Sequence, residues 1–373
     1  MDLGLSEQQE MLSRAAREFL EAECPTTLVR ELEDSDGGYS PELWRKMADL
    51  GWLGQAFPGQ YGGSDGTLID QVALFEEIGR AILPSPILTS TVLCGQTILY
   101  GGNEDQKAAL LPLISRGDTI VTLALAEADA GFDGGDISVM ATADGGDYVI
   151  NGTKLFVPYA HVADYLLCVA RTSGADSLFL IDSKTAGVNI TLLHSVAKYK
   201  QHEVALQNVR VPRTNMVGQL DQGRGPLGKA VDWATVVQCG EIVGRCQKVL
   251  DLVVDYSKVR VQFGRPIGSF QAVLHQCADL RVAVDGARLV TYQAAWKLVE
   301  GRPCSEDIAM AKAFAGSASR QATAVGHGIF AGIAFTVEHD MQLYMMRSKI
   351  QEANLGDSDF HLDNLGGYMG FPT

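Results

Sequence analysis

The chain has 373 residues, 46% of them hydrophobic, and a formal net charge of −15 from 45 acidic and 30 basic side chains. That length exceeds what one hydrophobic core usually fills, so two or three substructures are expected; the acidic balance argues against a general nucleic-acid binder, whose affinity comes from clustered Lys and Arg. No apolar run approaches the roughly 18 residues of a spanning helix, the N-terminus lacks a basic-then-apolar signal, and the seven cysteines are scattered without a C-x-x-C pair. The expectation is a cytoplasmic protein with reduced thiols, no membrane insertion and no metal site.

From Ser6 to about Arg116 the apolar residues recur at helical spacing: Met11, Ala15, Phe19 and Leu20, then Leu43, Met47, Leu50 and Leu53, then Val72, Phe75, Ile78 and Ile82. Pro58-Gly59, Gly62-Gly63 and Pro84 to Pro86 mark breaks, and the stretch reads as an N-terminal helical domain, residues 1–117.

Between 118 and 225 the texture changes to short β-branched runs such as Ile120 to Leu123, Tyr148 to Ile150, Tyr165 to Val169 and Ser177 to Ile181. Asp144-Gly145-Gly146-Asp147 and Asn151-Gly152 stand among them as hairpin cues, so a central β domain is expected, a small barrel or sandwich. Glu127, Asp133 and Asp136 form an acidic cluster whose glycine neighbours suggest an exposed loop.

Long helical patterns return over 226–373, broken at Gly264-Arg265-Pro266 and Gly301-Arg302-Pro303, and read as a C-terminal four-helix bundle. The class is α+β. The last dozen residues, rich in Gly, read as a loose tail. His327 and His275 read as loop or core histidines, and neither Gly101-Gly102 nor Gly134-Gly135 has the strand and helix context of a dinucleotide fold.

The junction from Tyr256 to Gln271 carries most chemical information. Lys258, Arg260 and Arg265 supply positive charge, Gly264-Arg265-Pro266 stops the helix, and Phe263, Ile267 and Phe270 supply apolar anchors. On its residues alone it is either a phosphate grip or simply a basic helix-helix connection.

The wording of that junction resembles the signature of the acyl-CoA dehydrogenase family. Leu5 to Leu12, Leu125 to Asp133, Tyr148 to Phe156 and Gly332 to Asp340 resemble four further family segments in the same order. Val157 to Asp164 and Leu355 to His361 look most like bacterial small-subunit members of heteromeric dehydrogenases. The resemblance implies FAD, an acyl-CoA thioester oxidised to the trans-2-enoyl-CoA in β-oxidation of a fatty acid or steroid side chain, and electrons passed to an electron-transfer flavoprotein. It also implies a second dehydrogenase subunit in an α2β2 assembly, or a homo-oligomer.

By the same resemblance Arg260, Gln262, Phe263, Ile267, Phe270 and Gln271 keep the FAD pyrophosphate and adenosine grip, Phe156 flanks the flavin, and Leu125 and Ala126 lie in the flavin-and-substrate loop. Pro158, Ala126 and Phe132 stand where hydroxyl residues are usual, and Gly328 and Ala331 replace a Gln and a Gly. Both family positions for the catalytic base are lost, to Leu355 and Ala234.

Glu241 lies seven residues after Ala234, nearly the same helical face, in an almost uncharged run from Val236 to Gly244 where burial would raise its pKa as a general base requires. The plainer alternative pairs it with Arg245 on a solvated face. Ala234, Gly240 and Gly244 remove bulk along this helix, which either frees space for a branched or ring-bearing acyl group or, at the glycines, permits close helix packing. The rival function is a non-catalytic partner that completes a neighbour's FAD site; a flavin monooxygenase of the same fold is the third reading.

Overall fold

The computed structural model describes residues 4–129, 135 and 137–371. In chain order come α1 (Glu7–Glu23), α2 (Thr26–Asp34), α3 (Pro41–Asp49), α4 (Leu68–Ala81), α5 (Gln96–Gly101) and α6 (Glu104–Ser115). Then follow β1 (Val121–Ala124), β2 (Met140–Asp144), β3 (Asp147–Pro158), β4 (Tyr165–Arg171), β5 (Asp176–Asp182), β6 (Val188–Leu193), β7 (Gln201–Val211) and β8 (Met216–Val217). The chain continues with α7 (Arg224–Val259), β9 (Val261–Gln262), β10 (Arg265–Pro266), α8 (Gln271–Val299), α9 (Ser305–Phe330), α10 (Met341–Ala353) and α11 (Ser358–Tyr368). Helices before the sheet and helices after it give the α+β class.

The chain divides into two compact units, one formed by 1–31, 68–83 and 235–373, the other by 32–67 and 84–234. In the first, a capping box between Ser6 and Gln9 starts α1, and Arg17 forks onto Glu77 of α4 at 2.7 and 2.9 Å. Small residues bring α4 against α7: a β-carbon on Gly244 would fall 1.8 Å from the Glu76 carbonyl oxygen, and one on Gly240 2.9 Å from that of Val72. Of the two roles open to these glycines, close helix packing is the one the structure uses.

Most of the expected loose tail is helical instead: residues 362–368 belong to α11, while 372–373 lie outside the described residues. Asp357 caps α11 by accepting from the Phe360 N–H at 2.9 Å, and the Ser358 hydroxyl donates to the Ala313 carbonyl of α9 at 3.3 Å. Tertiary docking outweighs the low helix propensity of Gly366 and Gly367.

In the second unit the strands run in the order β6-β7-β3-β2-β4-β5-β8, with β1 beside β4. The central β domain is present as expected, and of its two expected forms, barrel or sandwich, it is not a closed barrel: no pairing among the described residues joins β6 to β8, and the sheet stays open. Asp144↔Asp147 flank a two-residue turn with both central glycines at positive φ, as the cue implied. Asn151-Gly152 does not turn the chain: it lies inside β3 at a register shift, with Gly152 at φ +137 and the Asn151 side chain accepting from the Asn208 N–H. A bulge uses the same permissive residues as a hairpin, and only the partner strand separates the two.

Candidate active site

The junction after α7 is a tight β-hairpin. Gln262 pairs with Arg265 and Val261 with Pro266, which leaves Phe263 and Gly264 as a two-residue loop at φ +53 and +80. Positive φ at both central positions is the type I′ turn whose twist suits a hairpin. Gly264 takes it freely, whereas a bulky residue such as Phe263 pays roughly 1–2 kcal/mol there. Phe263 recovers little of that from burial, being 93% exposed. Its ring meets Phe270 edge-on at 6.0 Å, and the Arg265 guanidinium covers the Phe270 ring at 4.2 Å.

Of the three expected cations, Lys258 pairs with Asp255 at 3.1 Å and Arg265 is committed to the Phe270 ring. The exposed guanidinium of Arg260 has no partner among the described residues, and the exposed Gln262 and Gln271 amides likewise engage none. Ile267 and Phe270 are half-buried beneath them. A free guanidinium, two free amides and an exposed aromatic ring at a helix-to-helix turn fit the pyrophosphate and adenine of a dinucleotide.

In the sheet unit, Phe156 stands at φ +54 within a register shift of β3 and is 55% exposed. The Ala126 carbonyl accepts from the Leu155 N–H at 2.9 Å, and the Leu125 carbonyl accepts from Lys154 Nζ at 3.1 Å, so both are tied to the strand that carries Phe156. Pro158 lacks an N–H, but its carbonyl accepts from the Thr122 hydroxyl.

Glu127, expected in an exposed loop, is buried. It pairs with Lys154 at 2.6 Å and accepts from the Ser138 N–H at 2.7 Å, the Ser138 hydroxyl and the Val139 N–H at 3.2 Å. Burial raises its carboxyl pKa, but the bonds from Lys154 and Ser138 outweigh that and hold it below the ordinary range. Its neighbours Phe132, Asp133 and Asp136 lie outside the described residues.

Glu241 is 7% exposed and so does not lie on the solvated face that the plainer alternative required. Burial pushes its carboxyl up; Arg347 of α10, Arg245 one turn on and a hydrogen bond with Gln351 pull it back without cancelling the rise. Arg245 donates to the Ser319 hydroxyl of α9 at 2.7 Å, while its other terminal nitrogen has no partner among the described residues.

Three features were not found from sequence. Gln238, one turn before Glu241 on α7, is 0% exposed, and neither of its amide atoms has a partner among the described residues. Such an amide costs about 1–3 kcal/mol. Lys312 is buried in α9, where burial pulls its pKa down to about 8, and it donates to the carbonyls of Glu352 and Gly356. It thereby clamps the turn in which Leu355 takes φ +58. Ala331 also adopts positive φ, +56, directly after α9. His327 lies within α9, not in a loop, with Nδ1 2.9 Å from the Thr323 carbonyl oxygen; His275 is an exposed residue of α8.

Three family models match in chain order: the acyl-CoA dehydrogenase N-terminal domain over 6–118, middle domain over 122–209 and C-terminal domain over 221–369. An acryloyl-CoA reductase (NADH) of Anaerotignum propionicum is 30% identical, over 97% of this chain and 94% of its own. Subunit CarC of the caffeyl-CoA reductase-Etf complex of Acetobacterium woodii is 29% identical over 90% and 91%. Among solved structures, butyryl-CoA dehydrogenase from Megasphaera elsdenii superposes with a TM-score of 0.92 at 27% identity, covering 99% of this chain and all of that one. A chain of the ChsE4-ChsE5 complex from Mycobacterium tuberculosis gives 0.91 at 29%, with both chains fully covered.

Proposed function

The chain belongs to the acyl-CoA dehydrogenase family, oxidoreductases acting on CH-CH groups, and from that premise we propose that it is one subunit of a heteromeric, FAD-dependent dehydrogenase. It takes an acyl-CoA to the trans-2-enoyl-CoA and passes the electrons to an electron-transfer flavoprotein. The observation that carries this reading is the outward hairpin. Arg260, Gln262 and Gln271 hold polar groups unengaged among the described residues, beside an exposed, strained Phe263, an arrangement suited to gripping a dinucleotide shared with a second chain. Likeness to a chain from a complex of two named components supports the heteromer, likeness to an Etf-complex subunit supports the electron acceptor, and free cysteines support a reducing cytoplasm.

FAD, when bound, supplies the hydride acceptor for the β position. Arg260 would neutralise the pyrophosphate with Gln262 beside it, Phe263, Ile267, Phe270 and Gln271 would hold the adenosine, and Phe156 with the Leu125-Ala126 loop would flank the ring. Glu241 would take the α proton; its burial-raised pKa is what a base working near neutral pH needs. The chain would divide functionally at about 117 and 225, into an N-terminal helical domain, a central β domain and a C-terminal helical bundle.

A second reading is favoured by one observation: Glu241 stands among Arg347, Arg245 and Gln351, the setting of a counter-ion holding α7 to its neighbours. The chain would then complete a partner's flavin site without supplying a base. Glu241→Gln separates the two. As a base it leaves folding and FAD intact while flavin reduction falls about 10²- to 10⁴-fold; as a counter-ion it costs about 3–5 kcal/mol of stability by leaving buried arginines uncompensated. The flavin-to-chain ratio, measured for the chain alone and beside its partner, tests the heteromer itself: full flavin on a stable monomer would refute it.

A further inference from the structure

We infer that Gln238 sets substrate specificity, its carboxamide reading an oxygen atom carried on the acyl group. The inference rests on the dehydrogenase reading above, with Glu241 at the α carbon. Residue 238 precedes Glu241 by three positions, so its side chain leaves α7 about 60° round and about 4.5 Å along the axis from that carboxylate. A chain whose α carbon lies against Glu241 brings its next few carbons within reach of Gln238.

Every residue from Ala234 to Cys246 is buried, and most are apolar or small. The polar exceptions have company: Thr235 is engaged, Glu241 meets Arg347, Arg245 and Gln351, and Arg245 bonds Ser319. Gln238 alone among these four has neither donor nor acceptor matched among the described residues. Valine or leucine, abundant on either side, would fill the same place without that penalty. A saturated hydrocarbon chain would leave both amide atoms unmatched, whereas a hydroxyl satisfies donor and acceptor together and a carbonyl satisfies the donor. The class of substrate is therefore an acyl-CoA oxygenated a few carbons from the thioester.

The test uses the assembled, flavin-loaded complex and compares hexanoyl-CoA with its γ- and δ-hydroxy and oxo derivatives, against the parent, Gln238→Leu and Gln238→Met. Binding is read by thermal shift and reaction by flavin bleaching. The parent should prefer an oxygenated thioester by about 10²-fold or more, because a site built to bond an oxygen rejects the analogue lacking it. Both variants should bring the ratio to within about threefold of unity, bind hexanoyl-CoA better and melt no lower than the parent. An unchanged ratio in a folded variant, or a parent that turns over hexanoyl-CoA without preference, overturns the role of Gln238 alone. If no thioester of the set binds or bleaches the flavin, the dehydrogenase reading falls and this inference with it.

Discussion

A β-carbon on Gly79 would fall 1.9 Å from the carbonyl oxygen of Glu241, so the backbones of α4 and α7 touch at the turn that carries the candidate base. The reciprocal contact is Gly244 against the Glu76 carbonyl. Neither neighbour is the end of a flexible side chain that could swing away. Gly79→Ala and Gly244→Ala should each destabilise the protein by at least about 1–3 kcal/mol despite the better helix propensity of Ala. Gly225→Ala, with nothing within 4 Å of the added carbon, is the control and should be neutral or slightly stabilising. Urea midpoints measure all three, and equal midpoints for Gly79→Ala and parent would refute the close contact.

Arg260→Ala should weaken FAD retention by about 1.5–3 kcal/mol, the value of a hydrogen bond to a charged group, and leave the melting of flavin-free protein unchanged because the guanidinium has no partner among the described residues. Lys258→Ala, whose cation is already paired with Asp255, should affect neither. Flavin content after gel filtration decides it: equal retention by the two variants counts against Arg260 as the pyrophosphate ligand.

How far these features were legible in sequence depends on the range of the interaction. The long helices and the glycine hairpin at 145–146 rest on local periodicity and turn chemistry, and they appear as expected. In sequence the Phe263-Gly264 hairpin shows only as a basic connection between two helices, because two-residue strands carry no periodic signal. The glycine neighbours of Glu127 suggest exposure, yet it is buried and pairs with Lys154, 27 residues away. Asn151-Gly152 has the local chemistry of a turn; pairing with β7 makes it a bulge. Gln238 is silent in sequence for the same reason: an unmatched amide is defined by what surrounds it, which no spacing along the chain reveals.

Lys154 is 0% exposed and joins Glu127 to the Leu125 carbonyl. Lys154→Met removes the cation and leaves a buried carboxylate, which should cost about 3–5 kcal/mol. The double variant Lys154→Met with Glu127→Gln should recover much of that, since two uncharged groups need no mutual compensation. Guanidinium denaturation of the single and double variants provides the cycle; strict additivity would show that the pair is not coupled.

Lys312 makes stability depend on pH with a sign that differs from surface lysines. Burial pulls its folded pKa from 10.5 to about 8. Between those values the unfolded chain keeps a proton that the folded chain has released, so the unfolded state binds more protons and stability attributable to Lys312 rises as pH rises from about 8 towards 10.5. Below pH 8 both states are protonated and the dependence vanishes. The neutral amine still has donors for the Glu352 and Gly356 carbonyls, so the turn at Leu355 keeps its clamp through the transition. Other groups titrate in the same window, so the quantity to measure is the stability difference between parent and Lys312→Met across pH 7 to 10. It should move in favour of the parent by on the order of 3 kcal/mol at most, the full linkage of a shift of this size. A difference that stays flat, or moves the other way, would mean that Lys312 remains charged in the folded bundle and that its cation is compensated by Asp357 and Glu352.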